Sequence, residues 1–195
     1  MTTRGLFRFA AAVFAVASVF IVSTGCSTPL DVPQIMQRPS GARYYTAYNI
    51  WYDGDRRISS INYQTGKIIP FGTPIHVIKA TKWSLKFKDL TTGKEHVIVY
   101  REKYAMEPME GFLRKFLSSK PASEIAKGIP SRVIDAIKRG EVLKGMTRKQ
   151  VALAYGPPSP HRTPSWDNET WIYSINRWVT KRVVFKNGKV LQVLE

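Results

Sequence analysis

The hydrophobic pattern of the chain changes near residue 101. From residue 43 to about residue 101, apolar and polar residues alternate in short runs, which predicts strands with one buried face. Asp53-Gly54 and Thr92-Gly93 separate pairs of such runs and predict β-hairpins. Several short strands with regular turns predict a small β-barrel or sandwich in residues 43–118.

An amphipathic helix closes this β-rich part. Apolar residues recur at spacings of three and four between Met109 and Leu117, the stripe of a helix that faces a core. Such a stripe could also lie on a membrane surface, but a core is the more common destination. We therefore expect a helix over about residues 109–117 that packs on the β-rich part.

The C-terminal part begins with two helical patterns. Residues 129–140 predict a helix with Ser131 as its N-cap and Gly140 at its C-terminal end. A second helix is expected to begin at Thr147, because Thr147 and Gln150 have the spacing of a capping box. It should end at Gly156, in the left-handed conformation, before two prolines.

Strand-like runs follow in residues 170–175, 178–186 and 189–195. Asn187-Gly188 joins the last two runs and fits a type I′ hairpin turn. Two helices followed by an antiparallel meander predict helices on one face of a sheet. The expected fold class is α+β, with a β-rich module in residues 43–118 and an α+β module in residues 119–195.

The N-terminus has the pattern of a secretory signal peptide. Two arginines precede the apolar run Phe9–Val22, and small residues follow before Cys26. A transmembrane anchor is the alternative, but the run is shorter than the ~18–20 residues of a spanning helix. We expect residues 1–25 to be removed. Residues 26–42 contain three prolines without sustained periodicity and predict a tether.

Cys26 is the single cysteine of the chain and lies at the predicted cleavage site. It cannot form an intramolecular disulfide, and a free thiol is a liability in an oxidising compartment. Thr24 and Gly25 resemble the lipobox of bacterial lipoproteins, although Ser23 departs from that pattern. The resemblance implies acylation of Cys26 and a membrane anchor. Ser27, rather than Asp, follows the cysteine, which is similar to lipoproteins that are sorted to the outer membrane and face the periplasm. Ordinary cleavage that leaves a free thiol is the alternative.

The charge balance points to anionic partners. The chain has 30 Lys+Arg and 14 Asp+Glu, a net charge of +16. Residues 1–25 contain two basic and no acidic residues, so the remaining chain keeps +14. Export argues against nucleic acid and favours anionic headgroups and lipopolysaccharide phosphates. A solubilising basic surface is the alternative.

Residues 139–195 carry a set of motifs in a characteristic order. Gly-Met-Thr and a later valine precede Gly-x-Pro, a strand with Trp and Tyr, and Phe-x-x-Gly-Lys-Val. The residues are Gly145, Met146, Thr147, Val151, Gly156, Pro158, Trp171, Tyr173, Phe185, Gly188, Lys189 and Val190. In this order they resemble the SmpA/OmlA domain of BamE-like outer-membrane lipoproteins.

The resemblance implies two helices packed on a three-stranded antiparallel sheet, without catalytic activity. It also implies contacts with other lipoproteins, barrel subunits and anionic lipid during assembly of outer-membrane proteins. In the β-rich module, "IIPFGTPIHVI" at residues 68–78 is similar to the turn and strand of bacterial SH3-like domains. That similarity implies an SH3-like module in residues 43–118.

Candidate anion-binding residues lie in two places. The loop of residues 160–164, bounded by prolines, would present donors to a phosphate or carboxylate, and the predicted terminal hairpin has basic residues on one strand face. The candidates are His161, Arg162, Arg182, Lys186 and Lys189. The alternatives are a stiff loop that packs Trp166 against the sheet and a solvated basic face.

The aromatic run in residues 44–52 is a second candidate surface. Tyr44, Tyr48, Trp51 and Tyr52 could stack on sugars or on a peptide, as in SH3-like modules. The alternation of the run also fits side chains that fill a small core, and a core is the more common outcome.

No motif of the sequence points to catalysis. His76, His96 and His161 lack the spacing of metal ligands, and no G-x-S-x-G, Walker or dinucleotide motif is present. We therefore expect no catalytic residue, no metal and no cofactor. A hydrolase with an unrecognised site is the least supported hypothesis.

These observations support two hypotheses on function. The first is a non-enzymatic outer-membrane lipoprotein, a scaffold in envelope assembly or maintenance whose partners are envelope proteins or anionic lipid. The alternative is a periplasmic ligand-binding or sensing module that recognises peptidoglycan or a small anionic ligand through its β-rich part.

Overall fold

Runs of strands and runs of helices follow one another along a mixed α+β chain. The computed structural model describes residues 28–54 and 57–195, so the predictions for residues 1–25 and Cys26 lie outside the described residues. The strands are β1 (Tyr44–Thr46), β2 (Ile50–Tyr52), β3 (Arg57–Ser59), β4 (Lys67–Ile69), β5 (Pro74–Thr81), β6 (Ser84–Asp89), β7 (Glu95–Val99), β8 (Leu117–Ser118), β9 (Thr170–Ser174), β10 (Thr180–Lys186) and β11 (Lys189–Leu194). The helices are α1 (Val32–Met36), α2 (Glu102–Ala105), α3 (Met109–Phe116), α4 (Ala122–Ile125), α5 (Ser131–Lys138) and α6 (Arg148–Tyr155).

A curled N-terminal sheet has the strand order β3-β7-β6-β5-β1-β8. Its pairs are antiparallel except for the parallel pair of β3 and β7. The predicted hairpin at Thr92-Gly93 is confirmed, since it joins the antiparallel strands β6 and β7. The buried Asp89 carboxylate stabilises this turn, because it accepts hydrogen bonds from the Thr91 N–H and the Thr92 hydroxyl, both at 2.7 Å.

The hairpin predicted at Asp53-Gly54 is wrong. Strand β2 pairs instead with β4, and β3 pairs in parallel with β7. The side-chain amide of Asn62 occupies two backbone groups beside β2: its Oδ1 accepts from the Trp51 N–H at 2.9 Å, and its Nδ2 donates to the Asn49 carbonyl at 3.0 Å. Strand β3 buries Ile58 beside β7.

The segment predicted as a tether contains helix α1, and the structure here departs from the prediction. The Asp31 side chain caps this helix by accepting from the Gln34 N–H at 3.0 Å, and Pro33 lies in the first turn, where its missing N–H is tolerated. Val32 is buried in the N-terminal core, and the Leu30 N–H donates to the Ala80 carbonyl at 2.8 Å. Residues 30–36 therefore pack on the N-terminal sheet.

Helix α3 confirms the amphipathic prediction. Its Met109, Phe112, Leu113 and Phe116 are buried in the N-terminal core, together with Phe87 of the N-terminal sheet. Since these residues follow helical spacing, a single face of α3 supplies most of the contact. The helix thus packs on the sheet rather than lying free at the surface.

The N-cap of helix α5 lies one residue before the predicted N-cap. Pro130 is the N-cap, its carbonyl accepts from the Ile134 N–H at 3.0 Å, and Ser131 is the first helical residue, so Ser131 as N-cap is wrong. The C-terminal prediction is confirmed. Gly140 follows the helix with φ of 69°, and its N–H donates to the Ile137 carbonyl.

Helix α6 has the predicted capping box. The Thr147 hydroxyl accepts from the Gln150 N–H, and the Gln150 side chain accepts from the Thr147 N–H at 2.8 Å. Gly156 ends the helix with φ of 82°, but its ψ of 173° is extended, so the left-handed conformation is wrong. A Cβ at this position would crowd Tyr48 and Asn62 of the β-rich part, which explains the glycine.

A C-terminal antiparallel sheet has the strand order β11-β10-β9, as the meander prediction required. The Asn187-Gly188 hairpin is confirmed, with φ of 51° and 74° and Lys186 opposite Lys189. Trp171, Val183 and Phe185 of this sheet are buried with residues of α5 and α6 in a C-terminal core. Both helices therefore pack on this sheet.

Asn49 joins the two cores and is completely buried. Its Nδ2 donates to the Ile137 carbonyl of α5 at 2.5 Å, and its Oδ1 accepts from the Phe71 N–H at 2.9 Å. Its own N–H donates to the Leu153 carbonyl of α6 at 2.9 Å. Because one buried residue bonds to both helices and to residue 71, the β-rich part and the C-terminal part form a continuous structure.

Candidate functional site

An open groove of about 670 Å³ lies where the β-rich part meets the C-terminal part. We call it the basic groove, because several cationic side chains line it. Those among the described residues are Arg57, Arg101, Lys103, Arg162 and Arg177. They come from β3, from the segment after β7, from the loop before β9 and from the loop between β9 and β10.

Strand pairing explains how β3 and β7 form one wall of the basic groove. Ile58 of β3 lies opposite the buried Ile98 of β7, and both face the N-terminal core. Successive residues of a strand point to opposite faces, so Arg57 and Ser59 face outward with Val99. The Arg101 N–H donates to the Ser60 hydroxyl at 3.1 Å, which holds the start of α2 against the end of β3.

The loop before β9 forms the opposite wall. The Ser159 hydroxyl donates to the Tyr104 carbonyl of α2 at 3.0 Å and lies 2.8 Å from His161 Nδ1. The imidazole ring of His161 lies 5.0 Å from the Tyr104 ring, measured between centroids. These contacts fix His161 and Arg162 beside α2, so the two predicted loop residues do line the basic groove.

The charged side chains that line the basic groove are all positive among the described residues. None of its cationic side chains forms an ion pair with a carboxylate of residues 28–54 or 57–195. Burial lowers the pKa of His161 below its ordinary value of 6.5, and the charge of Arg162 lowers it further, while the backbone of Tyr104 opposes the shift. His161 is therefore neutral at pH 7, and the positive potential comes from the arginines and Lys103.

An exposed tryptophan follows Arg177, one of the cations that line the basic groove. Asn176 Oδ1 accepts from the N–H groups of Trp178 and Val179, both at 2.8 Å, and so shapes the loop between β9 and β10. The Trp178 side chain is 85% exposed, and the Arg177 guanidinium lies 6.0 Å from its ring centroid. An exposed indole therefore stands directly beside a cation of the groove.

The other predicted basic residues lie elsewhere. Arg182 and Lys186 are exposed on the face of β10 opposite the buried Val183 and Phe185, as their shared parity indicates. Lys189 lies opposite Lys186 at the hairpin. None of the three lines the basic groove. The structure therefore separates the candidate anion-binding residues into two surfaces.

The predicted aromatic ligand face is not formed. Tyr44 and Tyr48 are buried in the N-terminal core, as the alternation allowed. Trp51 packs against the C-terminal core and its Nε1 donates to the Ala154 carbonyl at 3.4 Å. Tyr52 is half-buried with its ring 5.1 Å from that of His96. Trp51 and Tyr52 pack against different cores because they are successive residues of β2, whose side chains point to opposite faces.

Ser159 and His161 are close enough to suggest a nucleophile and a base, but their bonding is structural. The Ser159 hydroxyl contacts both the Tyr104 carbonyl and His161 Nδ1, so the pair holds the loop against α2. No carboxylate of the described residues orients this imidazole, as a catalytic triad requires. In residues 28–54 and 57–195, no group of His, Cys, Asp and Glu side chains could hold a metal ion.

Sequence reasoning missed most of the basic groove. Arg57, Arg101, Lys103 and Arg177 come from three separate segments, and none belongs to a recognisable motif. The excess of basic residues predicts an anionic partner, but it does not identify which arginines and lysines lie together. The groove arises because Ser159 and Tyr104 bring distant segments together.

In the described part of the chain, no helix has the length and apolarity to span a membrane. Comparison with models of known protein families, with characterised proteins and with solved structures gave no match to this chain.

Proposed function

We propose that the protein is a non-enzymatic outer-membrane lipoprotein that acts as a scaffold in assembly or maintenance of the cell envelope. In this proposal acyl chains on Cys26 anchor the chain and the folded part faces the periplasm. Its partners are envelope proteins, anionic lipid or both. The observation that carries the binding role is the basic groove, whose cations have no carboxylate partner among the described residues.

The fold is compatible with this proposal. Helices α5 and α6 on the sheet of β9, β10 and β11 have the element composition that the SmpA/OmlA resemblance implies. We propose on that basis that residues 119–195 are a BamE-like domain, and from the sequence of residues 68–78 that residues 43–118 are an SH3-like module. The hydrogen bonds of Asn49 connect the β-rich part to the C-terminal part. They support a single scaffold in which residues of both parts line the basic groove.

Two measurements on the full chain in its native envelope test the proposal. Metabolic labelling with palmitate should label the wild-type protein and leave Cys26→Ser unlabelled, with the wild-type protein in the outer-membrane fraction. Affinity purification after crosslinking should recover envelope components with the wild-type protein and fewer with Arg101→Glu/Arg162→Glu. An unlabelled wild-type protein, or recovery that ignores the double substitution, would contradict the proposal.

A small anionic ligand is the second candidate for the basic groove. Its volume of about 670 Å³ falls within the range of small-molecule sites, about 300–1,000 Å³. A periplasmic sensing role would follow if muropeptides or small phosphorylated metabolites bound the purified protein. Calorimetric titration of such ligands tests this role, and absence of binding heat at millimolar ligand would refute it.

A further inference from the structure

We propose that the basic groove and Trp178 together bind an acidic, extended segment of a protein partner, with an apolar side chain next to its carboxylates. This inference rests on the proposed scaffold function and names the kind of partner. Three properties of the site carry it: the concave arrangement of the cations, their chemical type and the exposed indole beside Arg177.

The concave arrangement favours a ligand that enters the groove. The cations stand on different walls, with Arg57 and Arg101 on the β3–β7 side and Arg162 on the loop opposite. All five named cations are exposed, but a flat bilayer surface cannot lie between two walls as a narrow chain can. A narrow chain with its own charges can reach all walls.

The chemical type of the cations favours carboxylates or phosphates. All of the basic groove's cationic side chains among the described residues are arginines except Lys103. A guanidinium is a planar fork that binds a carboxylate through two parallel hydrogen bonds, and such charge-assisted pairs are stronger than neutral hydrogen bonds. Because these guanidiniums have no ion pair within the described residues, a ligand would not have to displace an internal carboxylate.

Trp178 distinguishes a protein segment from a small phosphate. An inorganic phosphate would bind within the groove and leave the indole, 85% exposed, in water. Val179, the next residue, is also 45% exposed, so two exposed apolar side chains directly follow Arg177 in the sequence. Trp and Arg are the residues most enriched among those that dominate binding energy in protein interfaces. An acidic peptide with an apolar side chain uses both parts of the site.

The walls of the basic groove are held in place by contacts between the two parts of the chain. The Ser159 hydroxyl bonds to the Tyr104 carbonyl, and the Gln64 N–H donates to the Ser174 carbonyl at 3.1 Å. Arg101 is held at the end of β3 by Ser60. A site whose walls are fixed in this way loses less conformational entropy when a ligand binds.

The test uses the full-length protein in a neutral detergent and fluorescence anisotropy at physiological salt. The probe is a fluorescein-labelled peptide of glutamates with two leucines, and its matched controls replace either the glutamates by glutamine or the leucines by serine. We expect saturable binding of the probe, and at least about tenfold weaker binding of each control peptide. Equal binding of all three peptides would overturn the proposal.

The protein variants separate the basic groove from general charge. Arg101→Glu/Arg162→Glu should weaken binding by at least about tenfold, whereas Arg114→Glu/Arg132→Glu, which makes the same change in net charge at exposed positions, should change it less than about threefold. Trp178→Ala should also weaken binding by about tenfold or more. Circular dichroism spectra establish that each variant is folded.

Two further outcomes decide between ligand classes. If vesicles with phosphatidylglycerol bind the protein through Trp178 while the peptide does not bind, the peptide proposal is wrong and the lipid-binding form of the scaffold function stands. If inorganic phosphate at millimolar concentration displaces the peptide without dependence on Trp178, the ligand is a small anion and the proposal is again overturned. Loss of palmitate labelling, by contrast, would contradict the lipoprotein function and leave the peptide result unaffected.

Discussion

Replacement of Asn49 by alanine should weaken the contact between the two cores and lower the free energy of unfolding. The side chain is completely buried and bonds to the Ile137 carbonyl and to the Phe71 N–H. Asn49→Ala removes both bonds and leaves the buried Phe71 N–H without a partner, whereas the Ile137 carbonyl keeps its bond from the Gly140 N–H. An unsatisfied buried group costs about 1–3 kcal/mol and a lost hydrogen bond costs about 0.5–1.5 kcal/mol, so the free energy of unfolding should fall by about 3 kcal/mol.

That loss is a large fraction of the free energy of unfolding of a typical domain, about 5–15 kcal/mol. For a chain of this size, about 1 kcal/mol shifts the melting temperature by about 2–4 °C, so Asn49→Ala should lower it by about 6–12 °C. Thermal and urea denaturation followed by far-UV circular dichroism measure both quantities.

Asn168→Ala is the matched control, because Asn168 is exposed and its side chain makes no hydrogen bond within the described residues. It should change the free energy of unfolding by no more than about 0.5 kcal/mol. A loss below about 1 kcal/mol for Asn49→Ala would refute the reasoning, since it would mean that the two bonds of Asn49 add little to the contact between the cores.

Three other substitutions test local features. Thr147→Ala removes one half of the capping box and should cost about 1 kcal/mol in urea denaturation, and an unchanged midpoint would contradict the capping role. Gly140→Ala should cost more than Gly93→Ala, because both have positive φ but only a Cβ at residue 140 would overlap the ring of Trp51; equal losses would refute that close approach. The lowered pKa of His161 means that the unfolded chain binds the proton more readily, so stability should fall as the pH drops below about 6.5. Urea midpoints at pH 8 and pH 5.5 should differ less in His161→Gln than in the wild-type protein, and an identical difference would contradict the shift.

Local sequence signals predicted the elements whose physics is local. The capping box at Thr147, the hairpin at Asn187-Gly188 and the apolar stripe of α3 each depend on residues within a few positions of one another. Such patterns favour a backbone conformation through local interactions alone. The α+β class followed from these elements.

The features that were not predicted depend on contacts between residues that are far apart in the sequence. The Asp53-Gly54 hairpin is replaced because Asn62 bonds to the backbone beside β2 and because β3 finds a parallel partner about forty residues later. Helix α1 packs on the N-terminal sheet because Val32 is buried there, a contact that three prolines in the segment do not reveal.

The candidate site was predictable in chemistry and only partly in position. The net charge of +16 indicated an anionic partner, and His161 and Arg162 were identified from their loop. Arg57, Arg101 and Arg177 lie far apart in sequence and meet only where the two parts of the chain pack together. Without that packing, nothing distinguishes these arginines from the other basic residues.

Site-specific photo-crosslinking in living cells tests the central claim, that the basic groove is the binding surface of this protein. A benzophenone amino acid replaces Tyr63, which lines the basic groove, or Trp83, which is 53% exposed and does not line it. The account predicts discrete crosslinked partners from position 63 that disappear in the Arg101→Glu/Arg162→Glu background, and none from position 83. Crosslinks from position 83 alone, or crosslinks from position 63 that persist in that background, would contradict it.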